Sequence, residues 1–431
     1  MPSIRDQLEA TLQVIADPKG EGARTCLAVY TDAARAAADA ADARAKAGVT
    51  LGPCDGVIVT VKDLFDVAGE PTRAGSKTRV SVAAATEDAP IVRRLRQAGA
   101  IIVAKTNMSE FAFTGIGMNP HFGTPGNPAD RRRAPGGSSS GAAVAVADGI
   151  GRIAIGTDTG GSTRIPAAFC GIVGLKPTAK RVPTTGAYPL SFTLDSIGPL
   201  AKTVADCALG DAIIAGEEFS PLMKLAAAGL RLGVVGGFPM NDVDGIVGPA
   251  YQRGLNALVK AGAKLIDVDL SALFTEMQAV NAKGGFAAPE AAAIHTAWLD
   301  NPEAPVDAIV RLRVTAGRNI TAAAYVEMTR ARAELIKRMD AAIAPFDALI
   351  WPTTPIVAPV MAELDTLERF APVNMLALRN TNPVNFFDAC AMSLPIPGAS
   401  LPVGLMVIGR HEQDRRMMEV SQAVEGVLAG A

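Results

Sequence analysis

Apolar positions along this chain follow two periods, and their alternation organises the sequence. The β-branched run within Gly56-Val-Ile-Val-Thr-Val-Lys62 reads as a buried strand, and Ala100-Ile-Ile-Val-Ala-Lys105 and Arg152-Ile-Ala-Ile-Gly156 read the same way. Further on, Leu230–Val235 and Lys264–Val268 flank a helical pattern at about 244–262, and strands follow at Ala348–Trp351, Ala391–Leu394 and Gly404–Ile408. Helical spacing covers residues 3–16, about 28–47, about 88–98 and Ser140 to near Gly149. It also fills about 270–344, with the longest helix from Thr321 to Ala344. Strand and helix alternate without a clear linker or an internal repeat. The pattern predicts an α/β protein with a single large mixed β-sheet flanked by helices on both faces, one domain over residues 1–431. Its second half is expected to add strands and cover a pocket.

Composition narrows the function classes. Hydrophobic residues make up 49%, charged 19% and aromatic 5%, so the interior is built mostly of Ala, Val, Ile and Leu and disorder is not expected. The formal net charge is −2 and the one basic run is Arg131-Arg132-Arg133, which leaves little for counterion release; no nucleic-acid partner is expected. Five scattered cysteines without a C-x-x-C pattern read as reduced, and no metal site is implied. The charged N-terminus does not resemble an export signal. The most apolar stretch, Ala142 to Gly156, is interrupted by Asp148 and Arg152 and is shorter than the roughly 20 residues that span a bilayer. A cytoplasmic protein with no membrane contact is expected. Neither a P-loop nor a dinucleotide fingerprint occurs, so no cofactor is expected.

Candidate chemistry lies in two glycine-serine segments, Pro135-Gly-Gly-Ser-Ser-Ser-Gly141 and Thr157-Asp-Thr-Gly-Gly-Ser-Thr-Arg164. Each presents hydroxyls and bare backbone N–H groups, as a serine nucleophile with an oxyanion hole requires. The usual activator is histidine, but His121, His295 and His411 lie near neither segment. A desolvated lysine can do the same work, and Lys62 closes a buried strand. Taken singly, each feature has a plainer explanation: a flexible Gly-Ser linker, a strand-end lysine paired with Asp63 or Asp66, and a tight turn.

Taken together, Lys62, the Gly137–Gly141 loop and the Gly160-Gly161-Ser162 turn resemble the amidase signature family in both motif and order, from about Leu51 to about Pro199. That family uses a triad of Ser, cis-Ser and Lys, its bridging serine opening the first loop and its nucleophile closing the second 24 positions later. Ser138 and Ser162 have this separation. The resemblance implies amide hydrolysis through an acyl-enzyme on Ser162, with Ser138 and Lys62 as proton relay and a catalytic core over about 50–215. Thr159, Gly160 and Gly161 join Ser162 as candidate oxyanion donors. Asp158 and Arg164 would brace the nucleophile turn, or form a structural ion pair.

Substrate choice is assigned to Met108, Asn119, Tyr188, Phe192, Trp351 and Asp388, with core packing as the commoner role for such residues. Many family members carry a glycine-leucine-proline step where this chain has Asp388-Ala-Cys390. The variant is similar to members acting on small ureido compounds, such as allophanate and carboxybiuret hydrolases, which favours a small polar amide or ureide. Arg330 or Arg332 could hold the carboxylate of such a substrate, unless both lie on a solvated helix face. Two other functions stay open: the tRNA-dependent amidotransferase component of the same family, which needs partner subunits, and an inactive scaffold that binds a metabolite or partner. A homodimer is also left open.

Overall fold

In the computed structural model, which describes residues 2–430, all eleven strands join one mixed sheet in the order β1-β3-β2-β4-β6-β5-β10-β11-β9-β7-β8. The strands are β1 Cys26–Val29, β2 Ile58–Lys62, β3 Ile101–Thr106, β4 Ile153–Asp158, β5 Val173–Lys176, β6 Ser196–Ala201, β7 Arg231–Val235, β8 Lys264–Val268, β9 Ala348–Pro352, β10 Cys390–Pro395 and β11 Gly404–Gly409. Two parallel groups, β3-β2-β4 and β8-β7-β9, are joined through antiparallel β6, β5, β10 and β11. The C-terminal strands therefore continue the ladder of the N-terminal half, with β10 beside β5.

Both faces of the sheet are covered by helices, as the continuous apolar runs of its central strands demand. Along β4, Ile153 and Ile155 pack with Val204 and Cys207 of the helix Val204–Ala215, while Ala154 packs on the other face against Ala143 and Val144 of the helix Ser140–Ala147. Small residues dominate this second face. A Cβ at Gly156 would lie 2.7 Å from Ser139 Oγ, so glycine there lets the serine loop approach the strand end.

Three strands depart from the sequence pattern. β1 was not expected, and its end overlaps the start of the helix expected over about 28–47, which itself begins at Thr31. β5 and β6 carry glycine, and β6 also Pro199, which disguise them as loops. The helical region at about 270–344 is five helices with breaks between them, of which Ala322–Ile343 is the longest. Among the described residues no helix is long and apolar enough to cross a membrane.

Candidate active site

Lys62 ends β2, the central strand of the first parallel group, where every residue is buried. Its ammonium nitrogen lies 2.8 Å from Ser138 Oγ, 3.0 Å from Ser139 Oγ and 2.8 Å from Thr157 Oγ1. Burial pushes the Lys62 group down to about 7, opposed by the charges of Asp195 and Asp158. A neutral amine donates two hydrogen bonds and accepts one. The Ser139 hydroxyl donates to the Thr157 carbonyl at 3.3 Å, so Ser139 accepts from Lys62, and the lone pair of the amine is left to receive the proton of Ser138 or Thr157.

Ser138 is held by its backbone. The Gly137–Ser138 peptide bond is cis, and the Ser138 carbonyl accepts from Ser109 N–H at 3.0 Å. Gly137 sits where a Cβ would come within 2.6 Å of the Gly117 backbone, so no larger residue fits. Ser162 lies in the turn between β4 and the helix Arg164–Cys170, and its carbonyl accepts from Ser139 N–H at 3.3 Å. The two serine segments thus meet backbone to backbone, and among the described residues no hydrogen bond closes Ser138 Oγ to Ser162 Oγ.

The Ser162 turn is built around the Asp158 carboxylate. Oδ1 accepts from Gly161 N–H at 2.8 Å, Arg164 Nη2 at 2.9 Å and Asn385 Nδ2 at 2.8 Å. Oδ2 accepts from Thr163 N–H, Thr163 Oγ1 and Arg164 Nε at 3.1, 2.9 and 3.0 Å. Burial by itself would raise this carboxyl, but the Arg164 guanidinium overrides it and holds the group well below the usual carboxylate range. Arg164 also donates to the Thr381 carbonyl and to Asn385 Oδ1, and Thr381 Oγ1 donates to the Gly160 carbonyl at 2.6 Å. The C-terminal half therefore clamps the turn through Thr381 and Asn385. Asp158 and Arg164 are a buried ion pair that also supports this turn.

One expected donor is corrected here. The Gly161 N–H is committed to Asp158, which leaves Thr159, Gly160 and Ser162 to offer backbone donors. Thr159 is further fixed by its hydroxyl, which donates to Asp195 Oδ1 at 2.5 Å.

Ser162 opens on a cavity of about 340 Å³. Its walls come from both halves of the chain: Phe113, Thr114, Thr159 and Gly160 on one side, Asn281, Phe286, Arg313, Leu378 and Asn382 on the other. Most of the residues expected to choose the substrate are elsewhere. Met108 is core, and Asn119 braces its own loop by donating to the Gly75 and Met108 carbonyls. Trp351 is buried in β9 with its N–H on the Asn380 carbonyl. Asp388 accepts from Ala179 N–H. Arg332 donates to the Phe386 and Asn385 carbonyls at 2.7 and 3.1 Å, which uses the fork expected for a carboxylate; Arg330 is exposed. Tyr188 and Phe192 line a neighbouring cavity of about 300 Å³ that shares Ala112, Thr159 and Leu190 with the first.

Sequence reasoning missed Thr157, Arg313, Asn382 and Thr381. Thr157 carried a usable signal, since it is two residues beyond Ile155 on a strand and shares its face. Arg313 carried none that separated it from Arg311.

The Amidase family model matches residues 16–418. A 2-amino-5-chloromuconic acid deaminase from Comamonas testosteroni is 36% identical over 92% of this chain and 86% of its own. An indoleacetamide hydrolase from Pseudomonas savastanoi is 35% identical over 87% of this chain and 84% of its own. The glutamyl-tRNA(Gln) amidotransferase component of Anaeromyxobacter dehalogenans is 34% identical over 93% of this chain and 88% of its own. A crystal structure of an amidase superposes with a TM-score of 0.88 at 34% identity, covering 99% of this chain and 96% of that one. With the family model matched over residues 16–418 and the fold shared over nearly the whole chain, the chain belongs to the amidase signature family and is an amidohydrolase.

Proposed function

We propose that this protein hydrolyses a small polar carboxamide or ureide to the acid and ammonia through an acyl-enzyme on Ser162. The observation that carries the proposal is the buried Lys62 nitrogen, 2.8 Å from Ser138 Oγ and brought near neutrality by its surroundings. Neutral Lys62 takes the Ser138 proton as Ser138 takes that of Ser162, whose oxygen attacks the carbonyl carbon. The Thr159, Gly160 and Ser162 N–H groups receive the developing oxyanion; one such donor is typically worth about 2.7–4 kcal/mol. The lysine proton returns through Ser138 to the departing nitrogen, ammonia leaves, and water repeats the cycle on the ester. Rotation of the Ser162 hydroxyl toward Ser138 closes the relay, consistent with catalytic hydrogen bonds that tighten only with substrate bound. One catalytic unit spans residues 1–431, since the cavity draws on both halves.

The test is ammonia release by the purified chain from a panel of small amides and ureides, with mass spectrometry of the acyl adduct. Loss of both in Ser162→Ala supports the mechanism, and full turnover in that variant overturns it.

A second reading, a component of a tRNA-dependent amidotransferase, draws support from the 34% identical relative of that kind. It predicts ammonia release only when partner subunits are added. Unaided turnover by the isolated chain rejects it.

A further inference from the structure

The walls of the Ser162 cavity hold one charged side chain and no carboxylate. Arg313 reaches it from the helix Ala308–Gly317. Its Nη1 donates to the Phe113 carbonyl at 2.5 Å, and its guanidinium carbon stands 4.9 Å from the centre of the Phe113 ring. These contacts fix the group while using one of its five donors. Among the described residues no acid pairs with it. Burial pushes its pKa down to about 10 with no opposing charge, unlike Arg164 with Asp158 or Arg181 with Asp211 and Glu217. The side chain is partly buried, and withdrawing a cation even in part from water is unfavourable unless an anion faces it; the remaining lining is apolar or neutral.

We propose that Arg313 anchors a carboxylate on the substrate, so that this site takes half-amides of short dicarboxylic acids, with the amide carbonyl at Ser162 and the acid group at the guanidinium. This deepens the amide-hydrolysis proposal and rests on it. A planar fork meets a carboxylate with two parallel hydrogen bonds. A neutral amide of equal length leaves the fork unpaired, and an amide ending in an ammonium is repelled. A cavity of about 340 Å³ suits a small ligand of this kind.

The test uses the full-length protein with succinamate and glutaramate, their neutral diamides, and the unreactive dicarboxylates succinate and glutarate. For the wild type, kcat/KM for a half-amide should exceed that for its diamide by about 100-fold, carried mainly by KM, as expected for a charge-assisted pair. Arg313→Gln should collapse this ratio toward one, and Arg313→Lys should restore part of it. Calorimetry with Ser162→Ala should detect dicarboxylate binding that Arg313→Gln removes. Equal use of diamides and half-amides, or a ratio that survives Arg313→Gln, overturns the assignment and leaves Arg313 as a brace for Phe113. Dicarboxylate binding that depends on Arg313, without ammonia release from any amide, would sink the hydrolysis proposal and keep the anchor. Should Arg313→Gln fail to fold, the wild-type ratio and dicarboxylate binding to Ser162→Ala still decide.

Discussion

Asp158 and Arg164 bracket Ser162 in the sequence and share two hydrogen bonds, Nη2 to Oδ1 at 2.9 Å and Nε to Oδ2 at 3.0 Å, with neither side chain exposed. The pair works as the keystone of the turn, because the same carboxylate collects the N–H groups of Gly161 and Thr163. Removing the guanidinium leaves a buried charge unpaired. Arg164→Met should lower unfolding free energy in urea by about 3–5 kcal/mol. The pH trend gives a second readout. In the wild type the folded carboxyl titrates below its ordinary value of 3.8, so its stabilisation is complete above about pH 4 and disappears as pH falls. Arg164→Met should lack that acid-side loss.

The pH dependence of catalysis follows from Lys62. With the neutral amine as base, kcat/KM should rise about tenfold per unit below pH 7 and level off above it, as a single ionisation requires. Lys62→Ala should reduce turnover by about 10²–10⁴-fold and abolish that limb. Circular dichroism should show an intact fold.

Asp195 tunes the same base. Its charge raises the Lys62 value, while burial brings its own carboxyl up to about 6 against hydrogen bonds from Thr159, Leu190 and Ser191. Asp195→Asn should therefore shift the ascending limb of kcat/KM toward lower pH. A shift toward higher pH would contradict this electrostatic picture.

Neighbouring glycines of the turn should respond differently to alanine. Gly161 has φ +138°, and a Cβ there would lie 2.1 Å from Thr381 Oγ1. Strain at such a position costs about 1–3 kcal/mol before the clash is counted, so Gly161→Ala should lower Tm and activity together. At Gly160 the nearest obstacle, 2.9 Å away, is the movable amide oxygen of Asn382. Gly160→Ala should keep its Tm and lose kcat/KM as the added methyl enters the cavity.

Thr381 offers a kinetic test of support from the distant half of the chain. Its hydroxyl holds the Gly160 carbonyl at 2.6 Å, and a neutral hydrogen bond of this kind contributes about 0.5–1.5 kcal/mol. Thr381→Val should depress kcat more than KM, because the Gly160–Gly161 peptide whose carbonyl it holds sets the turn that carries Ser162 and the Gly160 and Ser162 N–H groups proposed as donors.

The parts of this molecule that sequence made visible share a local origin. Lys62 ends a β-branched run, and the two serine segments stand out by composition; each alone reads as a strand end, a linker or a turn, and their joint order and spacing, resembling a family pattern, made them candidates. What stayed hidden depends on contacts far away in sequence. Arg332 and Arg313 look alike as cations on helical segments, yet one donates to the carbonyls of Asn385 and Phe386 and the other faces the cavity. Which of them reaches the cavity is decided by the packing of the helix Ala308–Gly317 against the helix Ala287–Ile294, a tertiary event. β6 was obscured differently: Gly198 and Pro199 argue against a strand, and only its ladder with β4 and β5 overrides them.

The adjacency of β5 and β10 ties the two halves of the chain into one continuous sheet. A cut after Ala215 would leave β5 paired with β6 alone and expose its other side as an adhesive margin of unsatisfied peptide groups, so a fragment ending there should aggregate. Yet the walls contributed by Asn281, Phe286, Arg313 and Asn382 belong to a stretch remote from the reacting groups. Substitutions at those four positions would reshape the cavity without replacing Lys62, Ser138 or Ser162.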